Sequence, residues 1–237
     1  GLFGGTRIRL FERIASHFKK AMPDVPVYAN PSGFVTPENM AGMVSLTDVW
    51  QPEQALLRRQ PELAVFFLKT GKPVWCYEAP GDVKRLKPLG YYRANPWMAF
   101  RLGLNGTGFW IQFYTGEKEI DNDLWLTRTI NEWGANYVNA GKEVISRRWE
   151  AFRDGIEDVR AFLLLRGAVE KARAAGRHHD LVAEAEQLLT ERIAKATQKA
   201  WECGDITRFL RDYEMDFDEI CRIRKRVAEL TLALETN

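Results

Sequence analysis

The chain has 237 residues, 46% hydrophobic and 28% charged, with a net charge of only +2 and both signs mixed throughout. That balance excludes the strongly basic surface that nucleic acid or an anionic membrane selects, and no apolar run approaches the roughly 18 residues of a membrane span. Cys76, Cys203 and Cys221 are too few and too scattered for a disulfide framework or a zinc site, so no metal or other cofactor is expected.

The chain opens GLFGG, without a charged stretch leading into an apolar one; no signal peptide is read, the localisation stays open, and the chain reads as soluble. From Thr6 to Met22 the residues Ile8, Phe11, Ile14, Ala15, Phe18 and Met22 form one helical stripe. Pro23-Asp24 ends that helix, and Val25–Ala29 reads as a buried strand with apolar residues on both faces. Thr36 before Pro37 predicts an N-cap with proline in the first helical position. Met43–Trp50 is the next predicted strand, closed by Gln51-Pro52, and Glu53–Thr70 carries a helical pattern that Pro61 breaks or kinks.

Pro73–Ala79 and Thr107–Tyr114, rich in β-branched and aromatic residues, flank a stretch whose apolar residues Tyr92, Pro96, Ala99, Phe100 and Leu104 recur at helical spacing. The alternation of helices with strands near 25, 44, 73 and 107 predicts a parallel sheet, and four such strands are half of an eight-stranded barrel. Thr115–Gly141 is loop-like; from the N-cap Ser146 onward nearly everything reads as helix, through Trp149–Leu165, Leu181–Ala196 and Ile206–Leu230. His178-His179 falls in a polar break and reads as a solvated turn. The fold expected is α/β: the second half of a (β/α)8 TIM-type barrel over residues 1–145, then a closing barrel helix and an antiparallel helical tail over 146–237.

The run SRRWEAFRDGIEDVRAFLLL from Ser146 resembles the closing signature of a bacterial domain family that sits beside family 123 of the glycoside hydrolases. Asp48-x-Trp50, Lys72-Pro73-Val74-Trp75-x-Tyr77, Arg93-x-x-Pro96-Trp97-x-Ala99 and Gly106-x-Gly108-Phe109-Trp110 follow that family in order, over roughly residues 6–166. The resemblance implies a (β/α)8 barrel that hydrolyses N-acetylhexosaminides, with an adjacent Asp-Glu pair at the end of the fourth strand as catalytic residues. This chain has no such pair on a strand. It is therefore expected to be a barrel half lacking the catalytic pair, completed by a missing N-terminal half from the same gene or another chain, or by self-association. A non-catalytic carbohydrate-binding or assembly protein is the alternative.

Barrel enzymes keep their chemistry at the C-terminal strand ends, which makes Glu78 the candidate catalytic acid or, in a two-carboxylate glycosidase, the nucleophile. An ion pair with Arg93 or Lys84 is the alternative for that carboxylate. Asp48, Trp50, Trp75, Tyr77, Arg93, Trp110, Gln112 and Tyr114 are the candidate substrate-binding residues. The eight Trp among 12% aromatics suit stacking on sugar faces, with Trp75, Trp110 and Trp50 as the expected platform. Alternation along Pro73–Ala79 puts Trp75 and Tyr77 on one face and Cys76 and Glu78 on the other, with Trp75 and Tyr77 toward the barrel axis and Glu78 swinging into the rim. Arg147, Arg153, Asp154 and Asp158 are expected to anchor the closing helix through ion pairs.

Overall fold

The computed structural model describes residues 5–33, 35–78, 86–109, 135–139, 142–202 and 214–236. They fall into two compact units, one made of residues 1–79 and 102–109, the other of 80–101 and 110–237. No helix among the described residues is long and apolar enough to cross a membrane.

In the first unit, helix α1 (Gly5–Ala21) precedes β1 (Tyr28–Ala29), and α2 (Pro37–Met40) precedes β2 (Val49–Trp50). Helices α3 (Gln54–Arg59) and α4 (Pro61–Lys69) precede β3 (Trp75–Glu78), and β4 (Gly106–Phe109) returns to the unit. Thr36 caps α2 by accepting from the Asn39 amide, and Pro61 divides α3 from α4, both as the sequence predicts. Met43–Leu46, predicted as strand, instead lies in a 3-10 helix over Ala41–Leu46, and only Val49–Trp50 of that run is extended.

All the strand pairing in this unit is parallel and follows chain order. β1 pairs with β2, β3 pairs with β4, and bridges at Trp50↔Val74 and Glu53↔Tyr77 join β2 to β3. The Trp50 amide donates to the Pro73 carbonyl at 3.0 Å and the Tyr77 amide to the Pro52 carbonyl at 3.2 Å. Parallel neighbours in register present their side chains to the same face. One face therefore carries Ala29, Trp50, Val74, Cys76 and Glu78, all buried. Trp50 packs there on Phe66 and Phe67 of α4, with ring centroids 6.4 and 5.1 Å away. The other face carries Tyr28, Gln51, Trp75 and Tyr77, and on it Tyr28 and Trp75 are 46% and 39% exposed.

The described residues of the second unit are helical apart from a hairpin of β5 (Tyr137–Asn139) and β6 (Lys142–Val144), which the loop-like reading of this region did not foresee. A π-helical turn, Pro88–Arg93, runs into α5 (Ala94–Arg101); α6 (Arg147–Ala174) is capped by Ser146, whose hydroxyl accepts from the amides of Arg148 and Trp149. Helix α7 (His179–Gln187) continues through a π turn, Leu188–Arg192, into α8 (Ile193–Ala196), with α9 (Gln198–Glu202) beyond it. Helix α10 (Phe217–Glu235) packs Ile220, Ile223, Val227 and Leu230 inward. Of the predicted third tail helix, residues 206–213 lie outside the described residues.

What ties this unit together is Asp158, 1% exposed on α6. Arg93 grips it bidentately, Nε to Oδ2 at 2.8 Å and Nη2 to Oδ1 at 3.1 Å. Trp97 donates its indole N–H to Oδ2 at 2.9 Å, and Arg224 approaches Oδ1 at 3.0 Å. Gly155 lets α6 come this close, because a Cβ there would meet the Arg93 carbonyl at 2.7 Å. Arg93-x-x-Pro96-Trp97 and Arg153-Asp154-Gly155-x-x-Asp158 are thus two halves of one lock. Removing Asp158 would leave Arg93 buried without its main partner, and Asp158→Ala is expected to cost about 3–5 kcal/mol in denaturant unfolding. Gly155→Ala is expected to cost about 1–3 kcal/mol by overpacking the same contact. Wild-type stability in both variants would remove the lock from the account.

Candidate functional site

Among the described residues, the exposed sheet face presents aromatic and polar groups together. Trp75 lies beside Gly106 on β4, and a Cβ at 106 would come within 2.6 Å of the indole ring. Glycine at that position is what lets the ring lie across the neighbouring strand. Tyr28 meets Trp75 edge-on, with ring centroids 6.1 Å apart. Further along β3, the half-buried Tyr77 side chain bonds to Asn30 and Ser32 at the end of β1, and burial pushes its phenol pKa up, reinforced by the charges of Glu53 and Glu78. Gln51 stands between them, its Oε1 accepting from the Tyr28 hydroxyl and from Asn30 Nδ2, the latter at 3.5 Å. Glu53, bridged to Tyr77, closes the C-terminal rim and pairs with Arg59 at 3.8 Å.

Beside the end of β1, a cavity of about 370 Å³ opens between α1 and the loop that follows the strand. Ile8, Phe11, Val35, Met40 and Met43 make it apolar, with Arg7 the charged residue of its wall.

The sequence-predicted site residues divide sharply. Trp75 and Tyr77 are on the exposed face, as their alternation required. Trp50 is not: it is fully buried on the helix side, its indole N–H donating to Thr70 Oγ1 at 3.2 Å, and it belongs to the core. Asp48 precedes β2 and so sits at the N-terminal end of the sheet, opposite the rim. Its carboxylate accepts from Lys19 and from the Val27 amide at 2.6 Å, and these two bonds hold its pKa below the usual carboxylate value. Arg93 is committed to Asp158 and, at 3.6 Å, Asp154, which leaves its guanidinium a structural role. Trp110, Gln112 and Tyr114 lie outside the described residues, as does Lys84.

Glu78 does not swing into the rim. It is 1% exposed on the face turned toward α3, where Arg58 Nη2 approaches its two oxygens at 3.4 and 3.5 Å. Its ion-pair partner is therefore Arg58, and the carboxylate is turned away from any ligand on the exposed face. Cys76, buried on the same side, accepts from Gln54 Nε2 at 3.4 Å. Burial pushes its thiol up to about 11, so it stays protonated and unreactive. Among the described residues no group of three or more His, Cys, Asp or Glu is placed to hold a metal ion. His178 adopts a left-handed conformation just ahead of α7.

Tyr28, Asn30, Gln51 and Glu53 were missed from sequence. The signal was available in the parallel register: whatever shares a face with Trp75 on β3 must share it along β1 and β2 as well. Gln51 and Glu53 were read only as strand end and helix start.

No family model matches the chain, and no curated protein matches it, so family 123 of the glycoside hydrolases is not supported specifically. Among solved structures the chain is similar to the endo-beta-1,4-mannanase from Thermotoga petrophila, with 14% sequence identity and a TM-score of 0.42. That likeness covers 65% of this chain and 40% of the mannanase chain. At this level it carries no argument about activity, which has to come from the residues.

The buried carboxylate makes a measurable prediction. Burial raises the Glu78 pKa from 4.5 to about 7, Arg58 opposing and Glu53 adding to the shift. Folding thus favours the protonated form. The stability this group contributes is complete below pH 4.5 and lost as pH rises through about 7, a change on the order of 3 kcal/mol. Across that window wild type should lose stability relative to Glu78→Gln, which cannot ionise. Parallel pH profiles of the two proteins would mean that Glu78 does not titrate there.

Proposed function

We propose that the chain is the second half of a (β/α)8 barrel of the glycosidase kind, and that its exposed sheet face is a wall of the sugar-binding cleft. What carries the reading is that, among the described residues, four parallel strands run in chain order with helices against the face of Trp50 and Glu78, while Tyr28 and Trp75 on the opposite face stay exposed. Parallel sheets are buried on both faces, in a barrel by closing on themselves. An aromatic, half-polar second face therefore calls for further strands to complete it, supplied by the rest of the gene product, by another chain or by a second copy. Tyr28 and Trp75 offer flat apolar rings for the C–H faces of a sugar, and Gln51, Asn30 and Tyr77 offer the polar contacts.

The substrate class proposed is an N-acetylhexosaminide, on the motif resemblance of residues 6–166. The role of this half is binding rather than bond cleavage. Glu78, the carboxylate a two-carboxylate glycosidase would use, is turned toward Arg58 and the helices. That placement also favours the non-catalytic carbohydrate-binding alternative over a self-sufficient enzyme.

The 237 residues alone should show no turnover of aryl N-acetylhexosaminides or aryl hexosides, yet bind N-acetylhexosamine oligomers. Loss of one stacked ring costs on the order of 0.5–1.5 kcal/mol, so Trp75→Ala, confirmed to be folded, should weaken binding about three- to tenfold. Turnover that disappears in Glu78→Gln would overturn the binding-half reading. Unchanged affinity in Trp75→Ala would move the sugar away from this face.

A further inference from the structure

Helix α1 carries apolar residues on two sides. Ile8, Glu12, Ala15 and Lys19 follow one another at helical spacing: Ile8 and Ala15 are buried, a Cβ on Gly42 would run into the Glu12 carboxylate, and Lys19 pairs with Asp48. That stripe faces the 3-10 turn Ala41–Leu46 and the start of β2. Leu10 and Ile14 each stand two residues beyond a member of it, about 200° round the helix. They therefore point to the side away from β2, where they are 46% and 58% exposed.

On that same side β1 has its outer edge. The carbonyls of Val27 and Ala29 accept from the amides of Val49 and Gln51, at 3.2 and 2.7 Å, so both residues face β2. Successive residues of a strand turn their backbone groups opposite ways, and Tyr28 between them turns its amide and carbonyl outward. Among the described residues, β2 is the strand that pairs with β1. From Val25 to Ser32 the edge carries no charge to discourage a further strand.

The charges along α1 say what kind of helix would accompany such a strand. Arg9, Arg13 and Lys20 run beside Leu10 and Ile14, all exposed and, among the described residues, without a carboxylate partner. His17 bonds to the Arg13 carbonyl, and Arg7, on the other border of the apolar pair, is already engaged. The carboxylates near this helix lie elsewhere: Glu12 is turned toward Gly42, Asp48 is held by Lys19 and the Val27 amide, and Glu38 on α2 is held by Thr36. Asp24 is in the turn beyond the helix end. The α1 helix of a second copy would set the same bases against these, and lipid offers nothing to pair with the outward backbone of Tyr28.

Resting on the barrel-half reading above, we propose that the side of α1 bearing Leu10 and Ile14 is a docking surface for an amphipathic helix with an acidic rim. The polypeptide that supplies this helix is the one that adds a strand to the outer edge of β1.

The probe is a pair of synthetic helical peptides with the same leucine stripe, one rimmed by glutamate and the other by lysine, titrated into the 237-residue chain. The glutamate peptide should bind saturably, more weakly as salt is raised, and the lysine peptide should not bind. Ile14→Ser removes a mostly exposed side chain, so it should keep the wild-type melting temperature. It should weaken the glutamate peptide about tenfold or more, the worth of burying that side chain. Arg13→Glu should weaken the same peptide about two- to fivefold. Equal binding of the two peptides, binding of neither, or wild-type affinity in both variants would overturn the proposal. So would association with phosphatidylserine vesicles in place of the peptide, or a dimer that dissociates in Ile14→Ser. Loss of sugar binding with the peptide still bound would remove the sugar wall and leave this surface; the reverse result would remove this surface alone.

Discussion

A parallel strand buries side chains on both of its faces, and among the described residues helices α3 and α4 lie against one face of β2 and β3. Much of the first unit follows from that constraint. Trp50, Val74, Cys76 and Glu78 face the helices and are sealed; Glu78 is tolerated there because Arg58 on α3 lies against it. Opposite them, Tyr28 and Trp75 remain substantially exposed. Rings that large are rarely left open on a sheet without a ligand or further protein to meet them, which is why that face carries the functional reading.

The N-terminal end of the sheet behaves differently from the C-terminal end. Lys19 pairs with Asp48 there, and Lys72 donates to the carbonyls of Val44 and Thr47, so the charged groups at that end are spent on holding the chain where β2 begins. At the other end Asn30, Ser32, Glu53 and Tyr77 face one another across strand ends. Parallel α/β folds generally place their ligands at the C-terminal strand ends, which is the end where the proposed sugar contacts lie. In the second unit Arg93, Trp97, Gly155 and Asp158 are occupied with one another, so the motifs that carry the family resemblance most visibly are structural ones.

The parallel, chain-ordered character of the sheet was legible because short apolar strands alternate with helical stripes, and the break at Pro61 because proline cannot continue a helix. Alternation also separated Trp75 and Tyr77 from Cys76 and Glu78 correctly. What alternation cannot supply is the identity of the covered face, because both faces of these strands are apolar or aromatic. Trp50 was accordingly placed in the cleft and Glu78 at the rim. Only the packing of Trp50 on Phe66 and Phe67, and the reach of Arg58 to Glu78, reverse those assignments. Arg93 was open to either role from sequence, since its partner Asp158 lies 65 residues away. Gln51 was overlooked because Gln-Pro reads as punctuation; its role appears only once three neighbouring strands are in register.

The central claim is that sugar meets the face bearing Trp75. The most direct measurement is the indole N–H spectrum of the protein with nitrogen-labelled tryptophan, recorded as an N-acetylhexosamine oligomer is titrated in. The account predicts a saturable shift of the Trp75 resonance, while those of Trp50 and Trp97, held by Thr70 and Asp158, stay in place. A saturable titration that leaves Trp75 unmoved and shifts the others would contradict it.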